Sequence, residues 1–285
     1  MPPARQGDTK RSEQAAGDPS GGLAVRGLSV TFRLKRETVT ALDGVDLDLP
    51  ASGFAAVIGP SGCGKSTLLR VVADIVAPSA GTVSLGGVTP AALRRAQRIG
   101  FVFQSPTLLP WRTVRENIRL PMALNRAGTK PSQTPDDLIR LVGLEGFENA
   151  LPDQLSGGMQ QRVSIARSLA LDPEVLLLDE PFGALDEITR QRMNLELLRI
   201  WSESRRTALL VTHSIAEAVF MADRVFVMSP RPGRIREVLD IPLDRPRRLS
   251  MMSEPAFVEA VNAVRSALFG ADGSPEAGPE AGYDG

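Results

Sequence analysis

The sequence predicts an α/β fold in which a parallel sheet carries helices on both faces, preceded by a β-rich segment and interrupted by a helical insert. Three observations carry this expectation. Short apolar runs recur at Phe54–Ile58, Val175–Leu178, Ala208–Thr212 and Val225–Met228, as in buried strands. Helical stretches at 187–203 and 215–221 separate the last three runs, and alternation of strand with helix implies parallel pairing. A glycine-rich turn joins the first run to a helix over Ser66–Ala73.

The remaining elements follow in order. Leu23–Phe32 and Val39–Leu49 alternate apolar and polar residues, as half-buried strands do, and Thr82–Leu85 and Ile99–Phe103 read as further strands. Residues 105–170 show helical patterning broken by proline and glycine and form the inserted helical subdomain. Its clearest helices are Asp136–Val142 and Met159–Leu169; in the second, Met159, Val163, Ala166 and Ala170 share one face. No internal repeat is present, so residues 23–269 are expected to form one domain. Residues 1–22 and 270–285, rich in small, polar and charged residues, are expected to be disordered tails.

Composition excludes some functions. The chain has 285 residues, 42% of them apolar, with 33 basic and 33 acidic side chains. A balance of zero speaks against a dedicated nucleic-acid binder, which shows a basic excess. One cysteine rules out an internal disulfide and fits a reducing compartment. Met1 is followed by polar and charged residues, so no secretory signal is expected. No apolar run approaches the roughly 20 residues that span a bilayer. Work at a membrane would require a partner.

The strongest motif is Gly59-Pro60-Ser61-Gly62-Cys63-Gly64-Lys65-Ser66, followed by Thr67. It leaves a predicted strand and opens a helix, the context of a P-loop. Glycines let several backbone N–H groups turn inward toward phosphate oxygens, and the helix start adds partial positive charge. Lys65 is placed to reach the β- and γ-phosphates of ATP, and the Ser66 hydroxyl to ligate Mg²⁺. Cys63 fills a free position of the motif. The run Val175–Leu178 delivers Asp179 and Glu180 to a strand end, the first as a Mg²⁺ partner, the second as general base for an attacking water.

A P-loop alone fits kinases, GTPases and helicases; other residues decide. Leu155-Ser156-Gly157-Gly158-Met159-Gln160-Gln161-Arg162 resembles the signature motif of the ABC ATPases. Ser156 and the glycines at a helix start offer a hydroxyl and bare N–H groups to an anion. Gln104 resembles the family's Q-loop glutamine, Gly183-Ala184-Leu185-Asp186 its D-loop, His213 its switch histidine, and Phe32 its adenine-stacking aromatic. The likeness covers residues 23–269. It extends to the importers of nitrate, sulfonate and taurine through residues 108–118, 178–186, 228–235 and 241–247 and a C-terminal helix over Glu254–Phe269. Departures are Met159, Ser52-Gly53 where Gly-Glu is usual, and Asp74 where glycine is common.

The resemblance implies a RecA-like P-loop core that binds ATP and Mg²⁺. It implies a homodimer in which Ser156, Gly157 and Gly158 of one subunit, with Asp186 near the junction, cap the nucleotide held by Lys65 of the other. Gln104 would contact Mg²⁺ or the water, and Glu180 and His213 would drive hydrolysis. The implied partners are transmembrane permease subunits at the cytoplasmic face of the cell membrane and, through them, an extracytoplasmic solute-binding protein. Trp111 reads equally as a core filler or as a surface residue near the permease groove. Two other classes stay open. A DNA-repair ABC ATPase would need a coiled coil or zinc module, which residues 105–170 do not show. An ABC ATPase that regulates a membrane complex without transport is the other.

Overall fold

The computed structural model describes residues 22–270 except 34–36, 126, 127, 129, 184 and 205, so the two expected tails lie almost wholly outside the described residues. Strands β1 (Leu23–Arg33), β2 (Thr38–Leu49) and β4 (Ala80–Leu85) form an antiparallel three-stranded sheet in the order β2-β1-β4. The second sheet has six strands in the order β5-β6-β7-β3-β8-β9. In it β5 (Ile99–Val102), β6 (Val175–Asp179), β7 (Thr207–Val211), β3 (Phe54–Ile58) and β8 (Arg224–Met228) run parallel. The last, β9 (Ile235–Asp240), pairs antiparallel with β8. The expectation of a purely parallel sheet is therefore corrected at one edge. A hairpin needs only a short turn, whereas a parallel pair needs a crossover.

The four central strands separate two cores by parity. Phe54, Ala56 and Ile58 face one core, with Leu176, Leu178, Ala208, Leu210, Val225 and Val227. Ala55 and Val57 face the other, with Val175, Leu177, Leu209, Val211, Phe226 and Met228. Successive side chains of a strand point to opposite faces, so unbroken apolar runs are what a sheet covered on both sides demands. The second core is closed by α1 (Lys65–Val72), through Leu68, Leu69, Val71 and Val72, and by the three-stranded sheet. The first is closed by α5 (Gly157–Leu169), α6 (Glu187–Ser204), α7 (Ile215–Met221) and α8 (Pro255–Phe269).

Between β4 and β5 lies the short helix α2 (Pro90–Arg95), started by Thr89, whose hydroxyl accepts the Ala92 N–H. The insert contains α3 (Val114–Ala123) and α4 (Pro135–Leu141) ahead of α5. Each of the first two begins with a reciprocal cap. The Thr113 hydroxyl accepts the Glu116 N–H at 3.3 Å while Glu116 accepts the Thr113 N–H at 2.9 Å. Thr134 and Asp137 repeat the arrangement. The predicted face of α5 is seen: Val163, Ala166 and Ala170 are buried and Met159 packs against the same core. No helix of the described residues is long and apolar enough to cross a membrane.

At two positions where the resemblance would put glycine, the backbone shows why glycine is suited. Ser52 and Asp74 both adopt left-handed conformations, with φ of 59° and 56°. Glycine is at ease there and other residues carry a steric cost. Asp74 also accepts the Arg94 Nε–H at 2.7 Å.

Candidate active site

Ligands of open parallel sheets bind beyond the carboxyl ends of the strands, and there the candidate residues gather. At the end of β3 the chain turns through residues 59–64 into α1. Gly64 sits at the helix N-cap with φ 107°, and a Cβ there would lie 2.8 Å from the Ala41 carbonyl oxygen, so only glycine fits. Lys65 is buried and donates to the carbonyls of Gly59 at 2.7 Å and Pro60 at 2.9 Å. Its ammonium therefore lies folded against the loop it belongs to. The Cys63 thiol is buried beneath the loop, and burial raises its pKa despite the neighbouring Lys65 charge. It is a packing residue, not an exposed thiolate.

The Ser66 hydroxyl donates to Asp179 Oδ1 at 2.9 Å, linking the helix start to the end of β6. Burial pushes the Asp179 carboxyl above the usual range, against the opposing effect of that hydrogen bond. The next residue, Glu180, has φ 45°, a left-handed kink rare outside glycine, held by its N–H on the Val211 carbonyl at 2.9 Å. Glu180 Oε2 lies 3.3 Å from Gln104 Nε2 and 3.1 Å from His213 Nδ1. Four strand ends thus meet: β3 through Lys65 and Ser66, β6 through Asp179 and Glu180, β5 through Gln104, β7 through His213. Gln104 and His213 each lie two residues beyond the last residue of their strand.

Beside this cluster is a cleft of about 310 Å³. Ser61, Gly62, Gly64, Lys65, Ser66, Thr67 and Glu180 line it, with Phe32, Val39 and Ala41 of the antiparallel sheet opposite. Phe32 is 39% exposed, so a ring is free at the cleft's edge. Arg231 completes the lining, and its Nε and Nη2 donate to the Gly62 carbonyl at 3.3 and 3.2 Å. The segment carrying it is braced by Gly233, whose N–H and C=O bond the Ala41 carbonyl and the Asp43 N–H. Sequence reasoning gave Arg231 no role; it lay within a family-like stretch, but no local pattern places a turn after β8 beside the phosphate loop.

Ser156, Gly157 and Gly158 are not among the residues lining this cleft. Ser156 caps α5, accepting the Met159 N–H at 3.3 Å. Asp186 likewise caps α6, accepting the Thr189 N–H at 3.0 Å, which holds its carboxylate below the usual range. Within one chain, then, the signature and Asp186 stand apart from the phosphate loop.

A second concavity of about 520 Å³ has Phe103 and Thr107, on either side of Gln104 in sequence, in its wall. Ile75, Phe101, Phe103, Leu120 and Pro121 line it, and Phe101 stacks on Phe103 at 4.4 Å. Helix α5 grips the chain on both sides of Gln104. Gln161 donates to the Phe103 carbonyl at 3.4 Å, and Arg167 donates to the carbonyls of Pro106 at 2.8 Å and Thr107 at 2.9 Å. Trp111 is 72% exposed, which removes the core-filler reading.

A family model described as ABC transporter matches residues 42–183. An uncharacterized ABC transporter ATP-binding protein of Methanocaldococcus jannaschii is 48% identical over 229 residues, covering 79% of this chain and 84% of that protein. The nitrate import ATP-binding protein NrtD of Synechococcus elongatus is 47% identical, covering 80% of this chain and 85% of its own length. The taurine import ATP-binding protein TauB of Rhizobium johnstonii is 44% identical, covering 86% and 96%. Among solved structures, a dimeric bacterial ABC transporter cassette superposes with a TM-score of 0.68 at 31% identity, covering 78% of this chain and all of that one. A post-hydrolysis state of that cassette bound to ADP and Pi gives 0.67. The chain belongs to the ABC transporter family and is one of its ATP-hydrolysing cassettes.

Proposed function

We propose that this chain is the ATPase subunit of an importer for nitrate, taurine, a sulfonate or a similar small solute. The observation that carries the reading is the convergence of Gln104, Asp179, Glu180 and His213 on the Lys65–Ser66 helix start. The family relatives named for nitrate and taurine import support the solute class.

Lys65 exchanges the Gly59 and Pro60 carbonyls for the β- and γ-phosphates, and the N–H groups of residues 62–67 hold the remaining oxygens. Phe32 stacks on adenine. The donor set suits Mg²⁺: hard oxygens of Ser66 and Asp179 sit 2.9 Å apart, Gln104 bonds the adjacent Glu180, and this metal takes few protein ligands beside substrate phosphates. When bound, Mg²⁺ offsets charge on the β- and γ-phosphates. Glu180 orients and deprotonates the attacking water, with His213 and Gln104 fixing its carboxylate.

Ser156, Gly157 and Gly158 serve the nucleotide of a second copy, and Asp186 lies at that junction, so two chains enclose two nucleotides. The dimeric cassettes of similar fold support this arrangement. The apolar groove beside Gln104 receives a permease subunit at the cytoplasmic face of the cell membrane, and an extracytoplasmic binding protein delivers solute to that permease. The hydrogen bonds from α5 to residues 103–107 would carry the permease's state to the signature. The test is Mg²⁺-dependent ATP hydrolysis by the purified chain, with Asp179→Asn and Lys65→Ala as comparisons. Turnover that survives either change, or needs no divalent cation, would overturn the assignment. Co-purification with a multi-span permease would separate transport from a purely regulatory ATPase.

A further inference from the structure

Glu217, in the first turn of α7, is a buried carboxyl that the proposed hydrolysis steps do not use. Its backbone is set by the Ser214 cap, which accepts the Glu217 N–H at 3.3 Å. The Ser214 N–H in turn binds the Thr212 hydroxyl at 3.0 Å, in the turn that carries His213. The Glu217 side chain shares the wall of one small cavity with Asn194 of α6 and with Ser214, and Thr212 and Asn194 both favour its charged form. Arg190, one turn earlier on α6, supplies the nearest positive charge. Arg190 also donates to the Leu185 carbonyl at 2.9 Å, within the stretch that ends at Asp186.

Two acceptors in this cluster have no donor among the described residues: Glu217 Oε1 and Asn194 Oδ1, both shielded from solvent. They line a cavity of about 10 Å³, walled also by Arg190, Phe220 and Met252. That is room for about one water molecule. Unpaired buried acceptors are costly, and a proton on the carboxyl or a bridging water relieves both.

We propose that Glu217 is a positioning residue that fastens the Thr212–His213 turn to α6 and so to the Leu185–Asp186 loop. The two arms flanking Glu180 are thereby held as one unit. The inference rests on the reading of His213 as part of the hydrolysis site. Burial raises the Glu217 pKa, against Thr212, Arg190, Asn194 and His213. The charged or titratable groups facing it are Arg190 and Glu187 on α6 and His213 beyond β7; the segment behind it brings Leu249 and Met252. A raised carboxyl pKa keeps the tie intact below the folded value and loosens it as pH rises through that value.

Amide hydrogen exchange of the full-length chain, read with ATPase kinetics and thermal unfolding, tests this. Glu217→Ala should speed exchange about tenfold at residues 185–190 and 212–216, at the low end of typical coupling between sites. Exchange in the antiparallel sheet and in α3 to α5 should stay unchanged. The kcat should fall by a similar factor with KM for Mg-ATP held. Glu217→Gln, neutral and of the same shape, should keep wild-type exchange and lose the alkaline decline in kcat. If Glu217→Ala does not fold, Asn194→Ala should give the same two-segment pattern. Exchange that rises everywhere, or in α7 alone, or a glutamine variant as impaired as the alanine one, would overturn the proposal. A wild-type chain that hydrolyses no ATP would sink the functional reading while the exchange pattern still decides this one.

Discussion

Glu180 Oε2 lies 3.1 Å from His213 Nδ1, and the same oxygen faces the Gln104 amide at 3.3 Å. One carboxylate oxygen therefore collects the ends of three strands, and the left-handed backbone of Glu180 makes this possible. A residue in the ordinary strand conformation would continue along β6.

The first prediction concerns that carboxylate. Glu180→Gln preserves shape and hydrogen bonding while removing the base. Hydrolysis should slow by roughly 10²–10⁴-fold, the usual worth of a general base, with ATP binding retained. Steady-state turnover beside equilibrium binding of a fluorescent ATP analogue checks it. Turnover close to wild type would leave Glu180 without its role.

The second tests the two-chain site. Lys65→Ala disables the phosphate loop and Ser156→Arg blocks the signature, so each variant alone should be inactive. Mixed chains should recover hydrolysis, because each heterodimer keeps one intact pairing. Rates flat at background across all mixing ratios would show that each chain works with its own signature.

The third concerns the brace behind the phosphate loop. A Cβ on Gly233 would lie 2.0 Å from the Cys63 carbonyl oxygen, which is backbone and cannot swing aside. Gly233→Ala should cost about 1–3 kcal/mol, as overpacking does, and weaken ATP binding by displacing both the loop and Arg231. Denaturant melts and nucleotide titration measure the two effects. Unaltered stability and affinity would mean that the turn is loosely seated.

The fourth uses pH. The Asp172 carboxylate accepts the Ser132 N–H and hydroxyl, each at 2.6 Å, and Arg206 at 3.1 Å. Burial alone would raise its pKa, but these partners together hold it below the ordinary value. A depressed carboxyl pKa contributes stability above the unfolded value, about 3.9, that is lost as pH falls through the folded value. Asp172→Asn should therefore melt below wild type at neutral pH, with the gap closing in acid. A gap independent of pH would assign the loss to shape rather than charge.

Much of this was legible in the sequence because the signals were strong. Central strands announced themselves as unbroken apolar runs, and the phosphate loop by fixed spacing between a strand and a helix. Strand β9 was not legible. It is an edge with mostly exposed or half-buried residues, and Arg236, Glu237 and Asp240 interrupt any alternation. Helix α3 was blurred by Pro121 in its last turn, and α2 is only 6 residues long. At the candidate site, the sequence pointed to residues that the structure places together at strand ends, whereas the place of Arg231 beside the cleft was not legible. Its place depends on a turn folding back across β2, a long-range contact without local periodicity. The buried state of Glu217 was hidden for the same reason: α6, the turn after β7 and the segment of Leu249 and Met252 supply its surroundings.

The parity of the central strands has a further bearing on how this chain can vary. Each of the four feeds alternate residues to separate interiors, so inserting or deleting a single residue within β3 would swap every side chain between them. The slip would also rotate the exit of the strand by half a turn, pointing Lys65 away from Asp179. Length changes are thus confined to connections such as the one between α3 and α4, and the geometry of phosphate capture is inherited as a matter of odd and even numbers.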